Sequence, residues 1–271
     1  MRRLLLIAFG AVTFYHLIAL AWGWPNPFWL MPLNTLLQWG FALAHALPTL
    51  GRHRALLLLG LTFGISLAME AVGVATGWIY GPYAYTDRLG PRLLSVPVLI
   101  PLAWFMMAYP AFLLACIALD EPPASPRGWG VAVLAAMWMT GWDLAMDPAM
   151  ARRGFWVWQE AGPYFGVPTR NFIGWMVTML LIYGLYLGIS RRWPSPASVP
   201  APMGEAVVAY AIAGAAFVFY PLLNPRADPL MQALGIVAFF TMGPPVWIAF
   251  LRLRSLRAGR RARGCQQLPF L

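Results

Sequence analysis

Lysine is missing altogether: all 19 basic residues among the 271 are arginine. A pigment held by a lysine Schiff base is thereby excluded. Charge of either sign is scarce, 10% of residues against 61% hydrophobic, and mean hydropathy is +0.65. A water-soluble globule could not cover its surface from so small a polar stock. There are two cysteines, Cys116 in an apolar run and Cys265 near the end, which give neither a disulfide framework nor a metal-ligand spacing. No Gly-x-Gly-x-x-Gly fingerprint, no Asp-rich pair for magnesium pyrophosphate and no His-x-x-x-His iron motif occurs, so redox chemistry and prenyl transfer lose support. The Pro-rich stretches "DEPPASPRG" and "RRWPSPASVPAP" are too short for a soluble domain, and no period of 20 to 50 residues repeats.

What remains is apolar runs of the length that crosses ~30 Å of hydrocarbon as a helix. Eight are expected, near residues 4–22, 28–48, 55–77, 96–119, 129–148, 172–190, 205–222 and 229–251. The fold class is thus all-α, a polytopic membrane helical bundle. Residues 1–251 form one transmembrane domain and 252–271 a basic tail. The first run is read as a span and not as a cleaved leader, because it is longer than a typical signal core. With both termini cytoplasmic, 13 arginines fall inside and 6 outside, as the positive-inside rule asks. The net charge of +10 is then a matter of topology and lipid headgroups, with no nucleic acid implied. The location expected is the cell membrane, as a multi-pass protein.

Of nine acidic residues, three lie inside spans: Glu70 in the third, Asp143 and Asp147 in the fifth. An ionisable side chain at mid-membrane costs roughly 2.5–3.5 kcal/mol even on lenient scales, so these should face a protein interior. Glu70 lies ~22 Å and Asp143 ~21 Å along their spans from the same side, and Asp147, four residues on, shares the face of Asp143. Asp147 directly precedes Pro148, expected to stop the helix. Carboxyls buried together cannot all carry charge, so at least one holds its proton near neutral pH. That is the arrangement of an acid–base pair or of a proton relay.

Each acidic span runs into an aromatic loop on the same side. "TGWIYGPYAYTDRLGPRLL" brings Tyr80, Tyr83 and Tyr85; "RRGFWVWQEAGPYFGVPTRNFIGW" brings Trp156, Trp158, Tyr164 and Trp175. Interfacial belts account for single rings. Here turn chemistry should fold both loops over the helix ends as a lid of electron-rich rings. Ring faces attract positive charge by roughly 0.5–2 kcal/mol without a lone pair to quench it, which suits carbocation chemistry on a substrate arriving from the bilayer. His16 and His45 are expected at different depths, which makes them packed histidines and leaves no metal site.

At these residues the sequence resembles the membrane carotenoid hydratases, among them gamma-carotene 1',2'-hydratases and bisanhydrobacterioruberin hydratases. The resemblance rests on Glu70 followed by "TGWIYGPYAY", on "VPVLIPLAWFMM", on "WDLAMDP" and on "WVWQEAGPYFGVPTRNFIGW", over about residues 60–180. It implies addition of water across the terminal 1,2 double bond of an acyclic carotenoid of the lycopene or gamma-carotene type, with no cofactor. For that reaction Asp143 is expected as proton donor, with Asp147 or Glu70 as the carboxylate that orients water. Trp142, Tyr80, Trp158 and Tyr164 are candidates for cation stabilisation. Tyr83, Tyr85, Trp156 and Trp175 join them in binding substrate, and Asn171 is a candidate partner of the water. A carotenoid cyclase or isomerase would use the same protonation. A proton-coupled transporter would use the same acids, though no inverted repeat is present.

Overall fold

The structure is a computed structural model that describes residues 1–124, 126, 128–193, 202–224 and 227–265, the side chains of 257–265 excepted. Arg127, the connection 194–201 and the tail beyond 265 lie outside the described residues. Among the described residues there are eight long helices: α1 (Arg2–Trp22), α2 (Leu30–Leu50), α3 (Arg52–Thr76), α4 (Leu99–Ala118), α5 (Trp129–Arg152), α6 (Thr169–Ser190), α7 (Gly204–Leu223) and α8 (Pro229–Cys265). They correspond one to one with the eight expected runs. α8 carries on as a helix through the start of the basic tail.

Six of these helices are long and apolar enough to cross a membrane. The other two, α2 and α5, are richer in polar groups that the bundle turns inward: Gln38 and His45 on α2, Asp143 and Asp147 on α5. Helix ends pair as an up-and-down order requires. Arg2 and Arg3 at the start of α1 bind Glu205 at the start of α7 at 2.7 and 2.8 Å, and Arg152 at the end of α5 meets Asp228 just before α8 at 3.6 Å.

α4 is the axis of the bundle. It is buried from Trp104 to Ile117 and packs against α2, α3, α5, α7 and α8, the place for a helix that is apolar all round. Five helices keep a proline inside them, at Pro48, Pro110, Pro148, Pro221 and the pair Pro244 and Pro245, and at two of these positions the freed carbonyl finds another donor. Pro110 in α4 leaves the Met106 carbonyl, which Gln38 Nε2 approaches at 3.5 Å. Pro148 does not stop α5, contrary to the sequence expectation: the helix runs on to Arg152. The Leu144 carbonyl, four residues earlier, takes the Tyr164 hydroxyl at 2.9 Å instead of a backbone N–H.

The two aromatic loops meet. β1 (Tyr83–Tyr85), after α3, pairs antiparallel with β4 (Trp156–Trp158), after α5, with Tyr83 opposite Trp158 and Tyr85 opposite Trp156. Between them in sequence, β2 (Arg92–Leu93) and β3 (Val96–Pro97) make a tight hairpin leading into α4. Alternation along β1 and β4 sends Tyr83, Tyr85, Trp156 and Trp158 to one face and Ala84 and Val157 to the other.

Candidate active site

Below the ribbon face lies a cavity of about 190 Å³. Its walls come from all eight helices except the distant ends of each, and they are mostly apolar. The exception is the region under the ribbon, where the three carboxyls of the sequence analysis come together: Glu70 and Asp147 are 4% exposed and Asp143 is fully buried.

Glu70 hangs from α3. Its Oε2 accepts hydrogen bonds from the Tyr83 hydroxyl and, at 2.7 Å, from Tyr85, while its Oε1 accepts the Trp104 indole N–H at 3.2 Å. Burial, and after it the neighbouring charge of Glu70, drives both ribbon phenols well above the ordinary tyrosine value, so they remain donors. Asp147 hangs from α5. Its Oδ1 accepts the indole N–H groups of Trp156 and Trp158 at 3.1 and 2.9 Å. One strand of the ribbon therefore supplies two phenols to Glu70, and the other supplies two indoles to Asp147.

Asn171, at the start of α6, joins the two aspartates: its Nδ2 donates to Asp143 Oδ2 at 2.8 Å and to Asp147 Oδ2 at 3.1 Å. The other oxygen of Asp143, Oδ1, is buried without a hydrogen-bond partner among the described residues. Asn171 is thus a clamp on the pair, in addition to lining the cavity.

The rings stack around these acids. Trp104 and Trp175 lie face to face at 3.9 Å, Trp142 stands edge-on to Trp175 at 6.0 Å, and Tyr83 faces Trp158 at 5.1 Å. Tyr80 is wedged between α3 and α6, bonded to Thr178 Oγ1 at 3.1 Å. It fits because Gly73 and Gly174 flank its ring: a Cβ at either would come within 2.8 or 2.6 Å of it.

Of the twelve site residues expected from sequence, ten line the cavity: Glu70, Asp147, Tyr80, Tyr83, Tyr85, Trp142, Trp156, Trp158, Asn171 and Trp175. Two do not. Asp143 stands behind Asp147 and Asn171, away from the wall. Tyr164 is spent on the Pro148 break, its hydroxyl pushed up to about 12 by burial and then by the charge of Asp143. Sequence reasoning missed Trp104, whose motif "PLAW" had drawn attention only as a stretch of likeness, and it missed the opposite wall of the cavity, where His16, Asn34 and Arg153 are found. His45 is a packed histidine, its Nδ1 2.6 Å from the Tyr109 hydroxyl. Among the described residues no group of three His, Cys, Asp or Glu side chains is placed to hold a metal ion.

The chain is 34% identical over 154 residues to a bisanhydrobacterioruberin hydratase of Haloarcula japonica, an alignment that covers 56% of this chain and 51% of that protein. The chain therefore spans about half the length of the curated relative it matches. No solved structure matches. A family model described as "Carotenoid biosynthesis protein" matches residues 30–242, from the first turn of α2 to the middle of α8, and this eight-helix membrane protein belongs to that family.

Proposed function

We propose that this protein is a carotenoid hydratase of the cell membrane. It adds water across the terminal 1,2 double bond of an acyclic carotenoid end group, of the lycopene or gamma-carotene type, without a redox cofactor. The observation that carries the reading is the pair of cavity-facing carboxyls, Glu70 and Asp147, each fixed by three neutral donors within a cage of ring faces. The similarity to a bisanhydrobacterioruberin hydratase supports it.

The chemistry divides as follows. Asp143 and Asp147 share one amide donor in a dry setting, so the pair holds one proton between them. Asp147 is the member on the cavity wall and delivers that proton; Asp143 keeps the pair supplied from behind. The acid O–H bond breaks as a C–H bond forms at C2, which leaves a tertiary cation at C1. Glu70 and the faces of Trp142, Trp158 and Tyr83 offer negative potential where that charge develops. The oxygen of a water bonds C1 and yields one proton to Glu70. Return of this proton to the aspartates restores the site, with one water added and no electron moved. Trp156 and Trp158 fix the direction of Asp147, and Tyr83 and Tyr85 that of Glu70, so neither carboxyl reorganises during the step.

Expression in a host that accumulates lycopene tests the reading. A product heavier by one water, with the polyene chromophore unchanged, is expected. An isomer of equal mass would instead make the protein a cyclase or isomerase, and unchanged pigment would leave the acids to a transporter.

A further inference from the structure

Across the cavity from the acids stands a second polar surface that the protonation chemistry does not use. Thr13 and His16 of α1, Asn34 of α2 and Arg153, in the turn after α5, all line it. They touch one another: Thr13 Oγ1 donates to Asn34 Oδ1 at 3.1 Å, and Arg153 Nη1 lies 3.2 Å from His16 Nε2. Arg153 makes no ion pair among the described residues. Its backbone sits at the rim, where its carbonyl accepts a hydrogen bond from Arg88 in the loop after β1.

Depth links the two surfaces. Counting along each helix at 1.5 Å per residue, His16 is about 9 Å from the ribbon-side end of α1 and Asn34 about 6 Å from that of α2. Glu70 is about 9 Å from the corresponding end of α3, and Asp147 about 8 Å from that of α5. Leu17, Leu20 and Phe217 line the cavity beside this strip, and Thr35, Gln38 and Tyr220 extend its polar groups along α2 and α7.

We infer that the Thr13–Asn34 contact, with the Arg153–His16 pair at its rim, is a water-binding site that feeds the reaction from the aqueous face on the ribbon side. The inference rests on the proposed hydration and adds its second substrate. A water held inside a protein needs two to four polar partners, and this strip is the part of the wall opposite the acids that has them. Water supplied from this strip reaches the cation beside Glu70, which takes one of its protons as the oxygen bonds C1. The guanidinium beside His16 serves a further purpose: its positive charge admits neutral water and repels hydronium and metal cations. Protons therefore reach the alkene from the carboxyls alone.

Interrupting the supply changes the fate of the cation without preventing its formation. A cation with no water to meet loses a proton from a methyl group on C1 to a carboxylate, which gives an isomer of unchanged mass with a shifted terminal double bond. The test is made on the full chain in membranes of a lycopene-accumulating host, comparing wild type with His16→Leu, Asn34→Leu and His16→Gln. The readout is the ratio of water adduct to shifted isomer. Loss of one hydrogen bond to the reacting water is expected to lower that ratio about tenfold in His16→Leu and in Asn34→Leu. His16→Gln keeps a polar side chain and should stay near wild type. An unchanged ratio in both leucine variants would overturn the inference, and so would a parallel loss of both products, the mark of a packing defect. Wild type making no water adduct at all would instead bring down the hydratase reading itself.

Discussion

At the scale of single residues, the site is defined by what each carboxyl is bonded to. Asp147 and Asp143 differ by one turn of helix and by one property: Asp147 reaches the cavity and Asp143 does not. Asp147→Asn should abolish water addition, by about 10²–10⁴-fold or more if general-acid catalysis is what it supplies. Carotenoid binding should survive, because the amide occupies the same space. Asp143→Asn should also slow turnover strongly, since an amide there cannot hold the pair's proton; pigment extracts from the two variants check both expectations, and near-normal turnover in Asp147→Asn would dismiss it as the donor. Trp158→Phe is a finer probe. It keeps a ring beside Tyr83 but removes the N–H that Asp147 Oδ1 accepts at 2.9 Å. Hydrogen bonds to charged groups are worth about 1.5–3 kcal/mol, so a fall in kcat of roughly 10–100-fold with little change in KM is expected. The three carboxyls were legible in the sequence because an acid in a membrane span is expensive wherever it occurs. Their separation into wall and interior was not, because residues at i and i+4 share a face and only the packing of α6 decides which one is covered.

Elements set the positions of these groups, and two of them could not be read from local signals. β1 and β4 are three residues each, shorter than any run in which alternation stands out, and their pairing joins segments 73 positions apart in register. The rings themselves were legible; the sheet that aims them was not. The second element is the Pro148 break in α5. A proline before a polar loop reads as a helix end, yet here Tyr164 replaces the missing backbone donor and lets α5 continue. Tyr164→Phe should leave the Leu144 carbonyl unpaired and cost about 1–3 kcal/mol of stability. In a Pro148→Ala background the restored N–H can bond that carbonyl, so the same Tyr164→Phe change should cost less; thermal unfolding of the four detergent-solubilised proteins measures this coupling. The hydroxyl also sets an alkaline limit. Its folded value, about 12, lies above the ordinary 10, so the protonated form is favoured on folding. This contribution is complete below pH ~10 and is lost as pH rises from there toward 12, and the alkaline decline should be shallower in Tyr164→Phe.

For the whole molecule the question is how a chain far longer than the site presents one end to it. The acids lie under the ribbon, whereas the cavity continues along α1 and α7 past Ala213 to Phe9, about 20 Å from the ribbon-side end of α1. This deep part is apolar and lies between helices whose other faces, at Leu4, Ile7 and Phe14 on α1 and at Val208 and Phe219 on α7, are exposed as lipid-facing surfaces are. In the proposed reaction the end group sits among the rings, with the polyene running down the α1–α7 side toward the bilayer. Enlarging a small residue on that route separates this path from any other. Ala213→Trp should obstruct the polyene while leaving the carboxyls and the ribbon untouched; overpacking of about 1–3 kcal/mol against the bound chain corresponds to a loss of roughly 5–150-fold in kcat/KM for lycopene. A truncated acyclic isoprenoid with the same terminal trisubstituted alkene ends short of residue 213 and should be hydrated by the variant as by wild type. If both substrates slow equally, the polyene does not pass Ala213 and the long axis of the cavity serves some other occupant.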